Sequence, residues 1–109
     1  MSISGTYRHF KENNYEVIGE AVNIETKEVY VFYRQLYDPF EFWIRPKDMF
    51  FGKKRVGEDC VQRFVKIADK QKNILTNVDL FGLKITHTET QELYKVVNIM
   101  GEMHIVQAI

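Results

Sequence analysis

The stretch Glu28-Val29-Tyr30-Val31-Phe32-Tyr33-Arg34-Gln35-Leu36-Tyr37 decides the fold. β-Branched and aromatic residues dominate it, and such residues favour a packed, pleated surface. Alternate residues of a strand face opposite ways. One face would carry Val29, Val31, Tyr33 and Gln35; the other Tyr30, Phe32, Arg34 and Leu36. Both are largely apolar. That is the pattern of a strand covered on two sides, as in a closed or doubly packed sheet.

Working outward, residues 15–22 read as a preceding strand in which Gly19 marks a bend or bulge. The polar residues 23–27 between the two strands suit a hairpin loop. Asp38-Pro39 ends the central run, because proline has no N–H for a ladder. Residues 41–45 form another short strand. Pro46 then suits the first turn of a one-turn helix over 47–51, with Gly52 as a left-handed cap. Such a turn is expected to plug a small barrel. Residues 53–59 read as a polar loop and 63–67 as a closing strand, with a helix over 66–75 as the alternative reading there. Further strands are expected over 78–85, 92–99 and 103–109, the last two paired across Met100-Gly101-Glu102. Glu25-Thr26-Lys27-Glu28-Val29-Tyr30 is echoed by Glu89-Thr90-Gln91-Glu92-Leu93-Tyr94. Shared hairpin chemistry is the expected reason, ahead of a true duplication.

The chain has 109 residues, 45 % hydrophobic and 28 % charged, which is ordinary for a soluble globular domain. Thirteen of its 15 aromatic residues precede Ile67. A core in residues 1–67 and an added segment in 68–109 are therefore expected. Fifteen basic groups balance 15 acidic ones. Residues 1–67 hold 11 basic and 10 acidic groups and the remainder 4 and 5, so no basic patch announces non-specific nucleic-acid binding. One cysteine, Cys60, excludes an internal disulfide and a Cys-built zinc site. No leader segment or apolar run of membrane length is seen. A cytoplasmic location without membrane contact is expected.

Several strings resemble a known family. They are Gly5-Thr6-Tyr7-Arg8-His9-Phe10-Lys11, Tyr15-Glu16-Val17-Ile18-Gly19, Glu25-Thr26, Val31-Phe32-Tyr33-Arg34-Gln35-Leu36-Tyr37, Trp43-Ile44-Arg45-Pro46-Lys47-Asp48-Met49-Phe50 and Arg63-Phe64. In order and spacing, over about residues 5–67, the chain resembles the small bacterial and phage family named domain of unknown function 1653. It departs from the family's pattern at Glu12, at Asn23-Ile24 and at Gln62, where the family favours glycine, His-Ser and proline. The resemblance implies a compact β unit, an SH3-like barrel among the possibilities, and no assigned activity. Residues 68–109 lie outside it.

Four arginines sit among aromatic residues: Arg8, Arg34, Arg45 and Arg63. Arginine offers a planar fork that grips carboxylate or phosphate and stacks on rings. The bland alternative pairs them with Glu16, Glu28, Asp48 or backbone carbonyls. Tyr37, Phe40 and Trp43 flank the proline turn and either form a shallow groove or belong to the core. His9 is the one weak candidate for acid–base work, yet no nucleophile motif accompanies it. Lys53-Lys54-Arg55 reads as a solvated loop. His9, His87 and His104 are too scattered for a helical metal pair, so no metal and no cofactor are expected.

Together these readings give an all-β to α+β protein. A small SH3-like barrel with a one-turn helix occupies residues 1–67, and a C-terminal β-hairpin extension occupies 68–109. The extension packs on the barrel or on a partner copy, giving a homodimer through residues 92–109. The leading function is a non-catalytic binding module using Tyr7, Arg8, His9, Arg34, Tyr37, Trp43 and Arg45 to hold a peptide, a nucleotide or a nucleic-acid segment. One alternative is a hydrolase-like enzyme on a nucleotide or phosphorylated substrate, with His9 as acid–base group. The other is a structural protein whose task is assembly.

Overall fold

The computed structural model describes residues 3–69 and 80–109. The elements are β1 (Gly5–His9), β2 (Asn14–Asn23), β3 (Val29–Gln35), β4 (Phe42–Pro46), α1 (Lys47–Phe50), β5 (Lys53–Val56), β6 (Asp59–Gln62), β7 (Phe64–Asp69), β8 (Ile85–His87), β9 (Leu93–Met100) and β10 (Met103–Ala108). The expected barrel, one-turn helix and additional strands are all present. No helix among the described residues is long and apolar enough to cross a membrane.

Six strands close a ring in the order β2-β3-β4-β8-β9-β10, with β10 returning to β2. Neighbours are antiparallel except at two parallel seams, β4–β8 and β10–β2. The ring thus takes β2, β3 and β4 from the segment read as the barrel and β8, β9 and β10 from the segment read as its extension. β10 is hydrogen-bonded on both edges. Association through residues 92–109 would therefore use side-chain faces, where Leu93, Met100 and Ile109 are exposed.

β2 makes this arrangement possible. Its residues 14–17 pair with β1, and its residues 20–23 pair with β10. The register shifts between Val17 and Gly19, which is the expected bulge. Beyond β1 the sheet continues to β7, outside the ring.

Strand β3 is covered on both faces, as its pattern required. Tyr30 and Phe32 point into the ring with Ile18, Ala21, Ile44, Ile85, Tyr94, Val96 and Val106, and Leu80 joins this core. Val31 and Tyr33 point outward into a second core with Tyr7, Val17, Phe50 and Phe64. The helix therefore covers the outer face of the sheet rather than plugging the ring. Phe50 is its anchor, stacked on Phe64 at 4.0 Å with 7° between ring planes. Gly52 is not left-handed; the helix ends with Phe51 N–H bonded to the Lys47 carbonyl.

Two further readings change. The polar segment 53–59 belongs to a hairpin, β5–β6, in which Lys53 pairs with Gln62 and Val56 with Asp59. Residues 66–69 are strand, not helix, and the rest of the segment 66–75 lies outside the described residues. Of the strand expected over 78–85, residues 78 and 79 also lie outside them, and only Ile85 is in a strand, at the start of β8.

The echo between 25–30 and 89–94 is deeper than hairpin chemistry. Asn23 Oδ1 accepts the N–H groups of Glu25 and Thr26; His87 Nδ1 accepts those of Glu89 and Thr90. Lys27 N–H bonds to the Asn23 carbonyl as Gln91 N–H bonds to that of His87. Thr26 Oγ1 accepts from Glu28 N–H as Thr90 Oγ1 does from Glu92 N–H. Lys27 and Gln91 both have positive φ, 66° and 63°. The surroundings also correspond. Ile24 N–H reaches Val106 across one parallel seam, and Thr88 N–H reaches Ile44 across the other. The units β2-β3-β4 and β8-β9-β10 are a structural repeat, and Tyr30 and Tyr94 meet edge-on between them at 6.2 Å.

Candidate functional site

Three adjacent strands build one cleft on the outer face of the sheet. Tyr15 of β2 is in register with Gln35 of β3, and Tyr33 of β3 with Trp43 of β4. Arg45 follows two residues along β4, so it shares that face. Tyr37, just after β3, and Thr88 and Gln91, from the turn after β8, complete the walls. The volume is about 300 Å³. Strand alternation places the polar ends here because the opposite faces of β3 and β4 fill the ring.

The polar groups are partly committed. Trp43 Nε1–H donates to Gln35 Oε1 at 3.0 Å, which leaves the Gln35 amide nitrogen as donor. The hydroxyls of Tyr15 and Tyr37 are bonded to each other. Gln91 donates through Nε2 to the Thr88 carbonyl at 3.0 Å. Arg45 is the exception. Its Nε and Nη1 are buried without a hydrogen-bond partner. Its guanidinium carbon lies 5.8 Å from the centre of the Phe64 ring. Among the described residues the ion pairs are Arg34–Glu16, Lys47–Glu20 and Lys66–Asp69, so no carboxylate pairs with Arg45. Burial holds the Tyr33 hydroxyl up at about 12, although the charge of Arg45 and a hydrogen bond from its side chain pull it the other way. Burial also raises Tyr15, and its bond to Tyr37 adds to that.

The seven residues read from the sequence as one rim divide into separate places. Tyr37, Trp43 and Arg45 meet in the cleft. Tyr7 is in the outer core, 5 % exposed, and its hydroxyl donates to the Ile3 carbonyl. It faces inward because β1 lays that side against Phe50. Arg34 is held by Glu16 at 2.8 Å, since the two are register partners on β3 and β2. Arg63 donates through Nε to the Met49 carbonyl, again a structural contact. Arg8 and His9 line a different pocket, of about 390 Å³, with Phe10, Gln62 and Val65.

His9 is poorly suited to acid catalysis. Burial first, then the charges of Arg45, Arg63 and Lys11, lower its pKa to about 4. Its Nδ1 accepts the Lys11 N–H at 3.2 Å. Neither the cleft nor the pocket beside Arg8 and His9 contains a serine or cysteine. Sequence reading missed Tyr15, Tyr33, Gln35, Thr88 and Gln91. Alternation along β3 was the available signal for Tyr33 and Gln35. Among the described residues no group of three or more His, Cys, Asp or Glu is placed to hold a metal ion.

The fold and cleft define a small six-strand β-barrel protein with one polar, aromatic cleft on its outer face. The family described as protein of unknown function (DUF1653) matches residues 5–66, and the chain belongs to it. A crystal structure of a DUF1653 protein from Bordetella bronchiseptica is similar, with a TM-score of 0.56 and 28 % sequence identity, over 64 % of this chain and 92 % of that one. No curated protein matches the chain. The matched segment 5–66 contains Tyr15, Tyr33, Gln35, Tyr37, Trp43 and Arg45; Thr88 and Gln91 fall outside it.

Proposed function

We propose that the chain is a non-catalytic binding module whose cleft takes a small ligand with an anionic group beside a flat ring, a nucleotide being the best-fitting class. Arg45 carries the reading. Two of its three guanidinium nitrogens, Nε and Nη1, are buried without a hydrogen-bond partner, and buried polar groups are costly unless hydrogen-bonded. Phosphate or carboxylate supplies the missing countercharge and acceptors together. The half-buried rings of Tyr37 and Trp43 stand beside it, and aromatic faces stack on any base. The Gln35 amide nitrogen adds a donor for a ring edge. A volume of about 300 Å³ suits a mononucleotide or a terminal nucleotide better than an extended peptide. The zero formal charge disfavours a long nucleic-acid tract.

The test is an NMR titration of the isotope-labelled chain with nucleoside monophosphates, inorganic phosphate, a short single-stranded oligonucleotide and a proline-containing peptide. Mononucleotides are expected to shift the Trp43 indole N–H, the Arg45 Nε–H and the Tyr37 amide. Arg45→Met is expected to abolish the response. Shifts confined to the surface around Arg8 and His9, or none with any probe, would refute the reading; a response to the peptide alone would replace the nucleotide with a peptide.

A further inference from the structure

The wall of the cleft formed by residues 88–92 is the second copy of a turn whose first copy, residues 24–28, lies at the other parallel seam. The two turns share their backbone bonds and differ in the residue that holds them. In the first copy the acceptor is the Asn23 amide oxygen, 2.9 and 3.2 Å from the Glu25 and Thr26 nitrogens. In the second it is His87 Nδ1, 3.1 and 3.2 Å from the Glu89 and Thr90 nitrogens. An amide oxygen keeps its lone pairs at any ordinary pH. An imidazole nitrogen accepts only while unprotonated, and His is the side chain that changes state near neutrality.

We infer that His87 is the positioning residue of the cleft's outer wall, and that the wall stands only while its Nδ1 is unprotonated. This rests on reading the cleft as a ligand site. The geometry leaves no alternative acceptor role. Nδ1 faces two backbone N–H groups, so Nε2 must carry the ring proton. A second proton, on Nδ1, would set three donors against one another and release both N–H groups. His87 is 4 % exposed, so water does not readily replace the lost bonds. The groups facing it are the ring of Tyr30 from β3 at 5.2 Å and the ring of Tyr94 from β9 at 6.0 Å. Glu89 and Glu92 belong to its own turn, and the neighbouring strand β4 sets the apolar Ile44 beside it, with Arg45 on the opposite face of that strand. Thr88 and Gln91 depend on the turn for their place in the cleft.

The experiment follows the backbone amides of Glu89 and Thr90 by NMR between pH 8 and pH 5 without ligand, then measures adenosine monophosphate affinity over the same range. Both amides are expected to move and to lose exchange protection as the pH falls, while those of Glu25 and Thr26 stay constant. Affinity is expected to fall by about fivefold or more, the loss of roughly one hydrogen bond's worth of wall contact. His87→Asn, which copies Asn23, should keep the turn and remove the pH step relative to wild type, so protonation of the ligand phosphate is controlled. His87→Ala should lose the wall at every pH. Turn amides that do not move between pH 8 and pH 5, or that behave alike in wild type and His87→Asn, would overturn the inference. Amides that titrate as expected while no mononucleotide binds at any pH would instead overturn the cleft reading and leave the pH response of the wall standing.

Discussion

A Cβ placed on Gly19 would lie 2.5 Å from the carbonyl oxygen of Glu102. The contact sits where β2 stops pairing with β1 and starts pairing with β10. Backbone rather than a flexible side chain occupies the space, so neither partner can yield cheaply. Gly19→Ala is expected to destabilise the fold by about 1–3 kcal/mol, as overpacking of a tight site does. Urea unfolding monitored by Trp43 fluorescence measures it; an unchanged midpoint would mean that the β10–β2 seam is looser than described.

The outer core depends on Phe50. Its ring stacks on Phe64 and meets Tyr7 and Tyr33 at 5.4 and 5.2 Å. Phe50→Ala is expected to cost about 3–5 kcal/mol, the range for a large aromatic truncated inside a core. The same unfolding assay applies. Phe51, which is exposed, should tolerate the same change with little loss.

Arg34 and Glu16 form a partly shielded pair, their side chains 28 % and 10 % exposed. Arg34→Met leaves the Glu16 carboxylate without its partner and is expected to cost about 1–3 kcal/mol. The double variant Arg34→Met, Glu16→Leu should recover most of that, because replacing both members of a shielded pair is often near neutral. A double-mutant cycle reads the difference, and strict additivity would show that the pair is not coupled.

Folding lowers the pKa of His9 to about 4 from the ordinary 6.5, so the unfolded chain binds this proton more tightly. Stability from this source is fully present above about pH 6.5 and is lost as the pH falls towards 4. His9→Gln should remove this pH dependence, so the stability difference between wild type and variant should change over that window. Parallel stability curves for the two proteins would contradict the assignment.

Much of the architecture was legible because it depends on local alternation. The two apolar faces of β3 required two coverings, and two cores exist. Gly19 and the turn at Gly101 were readable from backbone chemistry. The parallel seams were not, because which strand lies beside β4 or β2 is decided by packing between distant segments. The β5–β6 hairpin was missed because most of its side chains are exposed, so no apolar alternation marks it. The arginines show the same limit at a single position. Arg34 and Arg45 have similar aromatic neighbours in sequence, but the cross-strand partner of Arg34 is Glu16 and that of Arg45 is Val31. One charge is paired with a carboxylate and the other is not, a distinction that only register reveals. The Glu-Thr echo was the available sign of the repeat, and His87 in the place of Asn23 was its overlooked detail.

The closing seam joins strands made at very different times. Ile105 pairs with Val22, so the ribosome finishes β2 long before its neighbour exists. During that interval the nascent chain carries Tyr30, Phe32 and Ile44 without the strands that enclose them. Until β8, β9 and β10 are made, that apolar surface is open to association with other chains.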